Sequence, residues 1–292
     1  MRFKSIYFFI FLCSISNAQE NLRLSEVVNT PLFYNPAQTA KFITVDLFHT
    51  SRWVGFSGAA GTTLFSIKMN TENEKVSYGG MLFDDVIGSQ SQTEVSGFYS
   101  YTFKILKDLR VSLGISGGVR NIKLDNSVLL LYDQDDPVYR ENINTILPNM
   151  GLGITLNYQD WYLSLSSPSI FTSIFTYKND YDIVYKRRLN SYINFGKRNI
   201  NIKQVEGLKM NTALLMSSTS GAPTSLLIKN DMIYKEKLCL GLNLNYRSSF
   251  GFSFSYNLMK KYKFLYGFDF STTDISNGLP NSSRYFMLRL KL

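Results

Sequence analysis

The sequence predicts a transmembrane antiparallel up-and-down β-barrel of about fourteen strands, preceded by a short N-terminal periplasmic segment. Three observations predict it. First, bulky apolar and small polar residues alternate through most of the chain. Phe252, Phe254, Tyr256 and Leu258 alternate with Gly251, Ser253, Ser255 and Asn257, and a strand points successive side chains to opposite faces. Second, these alternating runs reach roughly nine to eleven residues, the length that crosses a bilayer at a tilt. Third, long connections follow odd strands and short ones follow even strands. Outer-membrane barrels show that parity, with short periplasmic turns and longer outer loops.

Composition points the same way. Of 292 residues, 15% are aromatic and 18% charged, whereas a soluble domain has about a quarter charged. A mean hydropathy of −0.08 is too low for a helical membrane protein. A soluble β-sandwich also alternates, but its outward face is normally rich in Lys, Glu and Thr. Here the polar face is mostly Gly, Ser and Asn, with a few charges such as Asp269 and Arg120. Small residues suit the crowded inner wall of a barrel. The apolar face then meets acyl chains, where a Lys or Arg at the midplane costs about 2–4 kcal/mol. The registers read from the sequence keep charge off that face. Closure removes the exposed edges of the sheet.

Residues 1–18 form a signal peptide. Arg2 and Lys4 supply the positive start, Ile6 to Ile15 the apolar run, and Ser16-Asn17-Ala18 the small-x-small cleavage site. The apolar run is too short to span a bilayer. Cys13 lacks the small neighbours of a lipoprotein signal, so lipidation is rejected. Cleavage near Ala18 removes two bases and no acids, taking the formal charge from +9 to +7. One cysteine then remains, Cys239, so no internal disulfide forms. The basic residues are scattered, which fits turns near anionic lipid head groups and not a nucleic-acid groove. The expected location is the outer membrane.

Residues 19–40 are expected to be a periplasmic segment or a plug entering the barrel from below, and residues 41–292 the barrel. Its strands are read at about 41–50, 61–69, 76–85, 92–104, 109–121, 148–158, 161–167, 186–196, 205–216, 223–233, 237–247, 249–259, 262–272 and 282–292. The long connections are 51–60, 122–147, 168–185 and 273–281. The short ones include Lys107-Asp108, Gln159-Asp160, Tyr234 to Glu236 and Lys260-Lys261. Ser248 and its neighbours make a tight turn on the long-loop side. The uncharged run Trp161 to Tyr177 is broken by Pro168 and holds five serines, so it reads as a strand and then a loop. The last strand places Phe286, Leu288, Leu290 and Leu292 on one face.

Catalytic constellations are missing from the pattern. The one histidine, His49, shares its face with Ile43, Val45 and Leu47 and reads as an interfacial residue. A Ser–His hydrolase needs a third orienting group, and one His with one Cys builds no zinc site. No cofactor is expected. The acidic run Tyr132 to Tyr139 holds Asp133, Asp135 and Asp136, with Glu141 beyond. It lacks the spacing and glycine of a twelve-residue calcium loop and reads as a solvated turn. In Ser51 to Gly61, Trp53 and Phe56 can anchor at the membrane surface, fold into the barrel mouth or contact a partner.

Several ordered motifs carry a resemblance. Tyr34-Asn35-Pro36-Ala37, Trp53-Val54-Gly55-Phe56, Asp136-Pro137, Pro148-Asn149-Met150-Gly151-Leu152-Gly153 and the Ser-Pro stretch through Pro168 resemble the PorP/SprF family. Those are outer-membrane proteins of the type IX secretion system of Bacteroidota. The resemblance covers nearly the whole mature chain, most clearly residues 31–170. Ala60 and Gln38-Thr39 depart from the family's pattern. The resemblance implies a non-enzymatic barrel that helps export or anchor cargo bearing a type IX C-terminal signal domain, such as gliding adhesins. Other type IX components are further expected partners. Trp53, Gly55, Phe56, Asp136 and Pro137 are the candidate partner contacts on the outer loops. Tyr34, Asn35, Pro36, Pro148, Asn149, Gly151 and Pro168 are motif residues expected to be structural. The alternative reading is an outer-membrane transporter or channel for small or hydrophobic solutes, its lumen open or plugged.

Overall fold

A computed structural model describes residues 24–39, 42–55, 58–128, 142–171, 189–220, 222–272 and 282–292, with 174–178 and 182–186 described as backbone. Two short helical turns, α1 (Leu24–Val27) and α2 (Pro31–Tyr34), precede the strands. The strands are β1 (Thr44–Arg52), β2 (Gly61–Asn70), β3 (Val76–Ile87), β4 (Gln90–Lys104), β5 (Leu109–Leu124), β6 (Ile143–Tyr158), β7 (Trp161–Ser169) and β8 (Ile174–Lys178). They continue as β9 (Asp182–Lys186), β10 (Asn190–Asn201), β11 (Leu208–Thr219), β12 (Ser225–Tyr234), β13 (Leu238–Asn245), β14 (Ser249–Leu258), β15 (Tyr262–Ser271) and β16 (Ser282–Lys291).

Fourteen of these strands close into one antiparallel barrel, and β8 with β9 forms a separate hairpin. Each barrel strand pairs with its chain neighbour, β10 following β7, and β16 returns to β1 through pairs such as Leu47↔Leu288. Closure gives every barrel strand a hydrogen-bonded neighbour on each side, as hydrocarbon demands. No helix among the described residues is long and apolar enough to cross a membrane.

The alternation behaves as the sequence predicts. On β14, Phe252 and Phe254 are exposed at 52% and 49%, while Ser253 and Ser255 are buried. Leu240, Leu242 and Leu244 continue the outward face on β13, and Phe264 and Tyr266 on β15. Asp269 and Arg120 lie on the inner face.

Four charges on the described strands correct the expectation of an uncharged outer face. Asp84, Lys123, Lys197 and Arg284 point outward from β3, β5, β10 and β16. All lie toward strand ends and mark boundaries of the apolar band. Lys197 lies 4.8 Å from the ring centre of Trp161 at the short-turn end of the barrel, where a long cationic stem reaches the interface. Asp84 accepts a 2.7 Å hydrogen bond from Thr93. It belongs to a cross-strand row of His49, Thr63, Asp84, Thr93 and Asn121 near the opposite end. In that row the His49 ring bonds Thr63 Oγ1 at 2.9 Å and Ser51 Oγ at 3.0 Å.

The strand map differs from the sequence reading around residues 143–190. β6 begins at Ile143, because Ile143, Thr145 and Leu147 continue its inward face against β5. Pro148 was the expected start. It is tolerated inside the strand because the ladder with β7 ends at Leu152↔Ser167, and proline fits where a ladder bond is not required. The eighth barrel strand starts at Asn190 and not at 186, since 182–186 is taken by the hairpin. That hairpin occupies part of what the sequence reads as the 168–185 loop.

The described part of the N-terminal segment is not free beneath the barrel. Residues 24–39 run inside it. Leu24, Val27 and Tyr34 pack with Tyr192, Leu215 and Leu227 in one buried cluster. Phe33 packs against a second, formed by Phe48, Leu64, Phe83, Leu265, Tyr285 and Met287. The lumen therefore holds two small apolar cores, each reaching the N-terminal segment. The signal peptide expected over 1–18 lies outside the described residues.

Candidate functional site in the barrel lumen

The segment descends the lumen from the long-loop end toward the short-turn end. Ser25 donates to the Asp269 carboxylate and accepts from Asn245 Nδ2 at 3.1 Å, at the long-loop ends of β15 and β13. Lys229 Nζ donates to Asn29 Oδ1 at 2.6 Å, and Arg289 Nη2 to the Asn29 carbonyl at 3.4 Å. Asn194 Nδ2 donates to the Tyr34 hydroxyl at 2.8 Å, and Tyr34 stacks near Tyr192 with ring centres 5.4 Å apart. Below this, Asn35 Nδ2 donates to Thr155 Oγ1 at 3.0 Å while its Oδ1 accepts from the Ala37 amide at 2.8 Å. A buried polar group costs free energy unless it is bonded, so these contacts fix the segment's height and rotation.

The Asn35-Pro36-Ala37 turn approaches the wall at two glycines. A Cβ on Gly114 would stand 2.3 Å from the Ala37 nitrogen, and one on Gly153 would stand 2.1 Å from Asn35 Oδ1. No other residue leaves room there. The tetrapeptide beginning at Tyr34 and Gly153 of the Pro148–Gly153 motif are two halves of one contact.

Above that turn lies a cavity of about 60 Å³. The segment lines it with Phe33 and Pro36, and the wall with Glu94, Arg120, Asn149 and Ser169. Glu94 accepts from Arg120 Nε and Asn149 Nδ2, both at 2.7 Å. Its carboxylate is therefore held by one charged and one neutral donor, the stronger class of hydrogen bond being the charged one. Gly151 admits Pro168, whose Cα would lie 2.9 Å from an added Cβ. Ser169 Oγ and Asn190 Oδ1 are buried without a hydrogen-bond partner among the described residues, and both residues line the cavity.

Motifs more than a hundred residues apart in sequence thus meet in one place. Pro36, Asn149 and Pro168 line the cavity, Asn35 makes the contact beneath it, Gly151 backs Pro168, and Tyr34 packs on Tyr192, another lining residue. Pro148 does not join them; it faces outward on β6. The candidate partner contacts are elsewhere. Trp53 and Gly55 sit between β1 and β2 at the outer end, both with positive φ, and the Trp53 amide donates to the Ser282 carbonyl at 3.2 Å. Phe56, Asp136 and Pro137 lie outside the described residues, as do Asp133, Asp135 and Glu141.

Sequence reading missed Glu94. Hairpin geometry could have found it. The turn between β4 and β5 centres on residue 107, so position 94 faces position 120, and cross-strand partners of opposite charge attract. Asn29 and Lys229 carried no comparable signal, because nothing in a strand pattern says which wall residue a lumenal chain will touch.

Solved structures with this fold are outer-membrane barrels. The P. putida toluene transporter TodX aligns with a TM-score of 0.55 at 8% identity, covering 90% of this chain and 94% of its own. The CymD monoaromatic hydrocarbon channel aligns with a TM-score of 0.55 at 11% identity, covering 95% of each. At such identities the likeness is one of fold. No curated relative matches the chain. The motif spacing has its counterpart in a match over residues 16–291 to the type IX secretion system membrane protein PorP/SprF. With the match spanning nearly its full length, the chain belongs to the PorP/SprF family of type IX secretion system membrane proteins.

Proposed function

We propose that this outer-membrane barrel is a non-enzymatic component of the type IX machinery. It helps export or anchor cargo bearing a type IX C-terminal signal domain, gliding adhesins included, through its extracellular loops. In this reading the chain is exported with its leader cut near Ala18, and Trp53, Gly55, Phe56, Asp136 and Pro137 contribute to docking. Other type IX components are its neighbours. The observation that carries the reading is the filled lumen. Residues 24–39 are held by polar contacts to β6, β10, β12, β13, β15 and β16, while the strand ends joined by the long connections share one end of the barrel. Such a barrel offers an outer partner its rim and not a through passage. Aromatic loop residues that bury on contact supply much of the energy of such docking. A strain lacking the chain is expected to lose surface display of the cargo or to retain it inside. Unchanged display in that strain overturns the proposal.

The second reading is a channel for hydrophobic solutes. It is favoured by the fold shared with a toluene transporter and a monoaromatic hydrocarbon channel. Solute uptake by liposomes carrying the purified barrel separates the two. Uptake above protein-free liposomes supports the channel, and none supports docking.

A further inference from the structure

The short-turn end of the lumen is rich in cations. Lys68 on β2, Lys263 on β15 and Arg289 on β16 all face inward, at or one step from the same cross-strand row. Asp46, on β1 between them, is taken by Arg289, which donates to it from Nε at 2.6 Å and from Nη2 at 2.9 Å. Deeper in, Lys229 pairs with Asp231 at 3.3 Å. Lys68 and Lys263 have no acidic side chain within salt-bridge distance among the described residues. Both keep partial solvent exposure although they face inward, so water reaches them through the mouth of the barrel.

We infer that this mouth receives an acidic peptide segment of a periplasmic partner. Three features select that class. The end with short turns faces the periplasm in outer-membrane barrels, so the ligand enters from there. The cations point away from the bilayer, which removes phospholipid head groups from consideration. Lys68 and Lys263 are three strand spacings apart, on the order of 14 Å along the wall. A small anion meets one lysine at a time. An extended chain advances about 3.3 Å per residue, so acidic side chains some four residues apart meet both. Lys68, Lys263, Arg289 and Lys229 outnumber Asp46 and Asp231 here, and attraction in a narrow channel of net positive charge concentrates such a segment before contact.

The site is linked to the lumenal segment. Arg289 and Lys229 both hold Asn29, and both lie on the path of an entering acid. A bound carboxylate competes for those donors, so occupancy of the mouth loosens the segment at Asn29.

Cys239 supplies the test. It is the one cysteine beyond the signal region, and it lies on the inner face of β13 between the short-turn end and the plugged middle. The full-length protein, in detergent, is treated with a small maleimide, with and without a ten-residue Glu/Asp peptide. The expected result is at least a fivefold slowing of Cys239 labelling by the peptide. Neither a Lys peptide of equal length nor inorganic phosphate at equal charge should slow it. The double variant Lys68→Gln with Lys263→Gln should lose the protection, and Lys68→Arg with Lys263→Arg should keep it. Neutralising Lys235, Lys237, Lys260 and Lys261 on the turns should leave it unchanged. Absent protection, equal protection by phosphate, or protection that disappears with the turn lysines each overturns the inference. The turn-lysine and phosphate arms hold even if the glutamine pair misfolds.

Discussion

Gly114 and Gly153 show how much depends on a missing methyl. Each lets the backbone of Asn35 to Ala37 lie against the wall. Gly114→Val is therefore expected to expel the lumenal segment while leaving a barrel, since valine favours strands. In planar bilayers the variant should conduct ions well above the unsubstituted protein, and protease should reach residues 24–39. Conductance equal to the parent would show that the segment does not block the lumen. Glu94 is the second sensitive residue. It is 4% exposed and carries both Arg120 and Asn149. Removing one partner of a buried ion pair leaves the other charge uncompensated, at about 3–5 kcal/mol. Arg120 is partly solvated, its side chain 21% exposed, so Glu94→Gln should cost near the lower end, about 3 kcal/mol. A fall in the thermal unfolding midpoint in detergent measures it, and Glu94→Gln with Arg120→Gln should recover part of the loss.

At the level of elements, legibility follows local physics. Strands β13 to β16 could be read almost residue by residue, because each keeps Phe, Leu or Tyr on every second position, with mostly Gly, Ser or Asn between them on β13 and β14. Lipid on one side and a crowded wall on the other impose that pattern without reference to distant residues. The region from β6 to β10 was harder. Pro148 and Pro168 both sit inside strands there, and a proline usually ends one. The β8–β9 hairpin hides in a stretch without long alternation. The lumenal segment was the least readable. Its two helical turns are four residues each, too short for a helical period to register. Its position comes from side-chain contacts to six strands, which no local pattern encodes. The motif residues were visible as a set, but their meeting at one cavity required the closed barrel.

For the molecule as a whole, orientation is the property with most consequence. The strand ends joined by 53–60, 125–142, 170–189 and 272–281 lie at one end of the barrel, and those joined by 105–108, 159–160, 235–237 and 259–261 at the other. The first end is expected to face outward. An epitope inserted at 223–224 should be reached by antibody on intact cells, while one at 260–261 should be reached only after the outer membrane is opened. The reverse pattern would invert the assignment of both the docking loops and the cationic mouth.

Finally, β1 and β16 are partners, and the segment they enclose lies upstream of both. Only residues 40–43 separate the described segment from β1. The stopper is thus tethered to one lip of the seam, and whatever pulls on it pulls on the stave that shuts the cylinder.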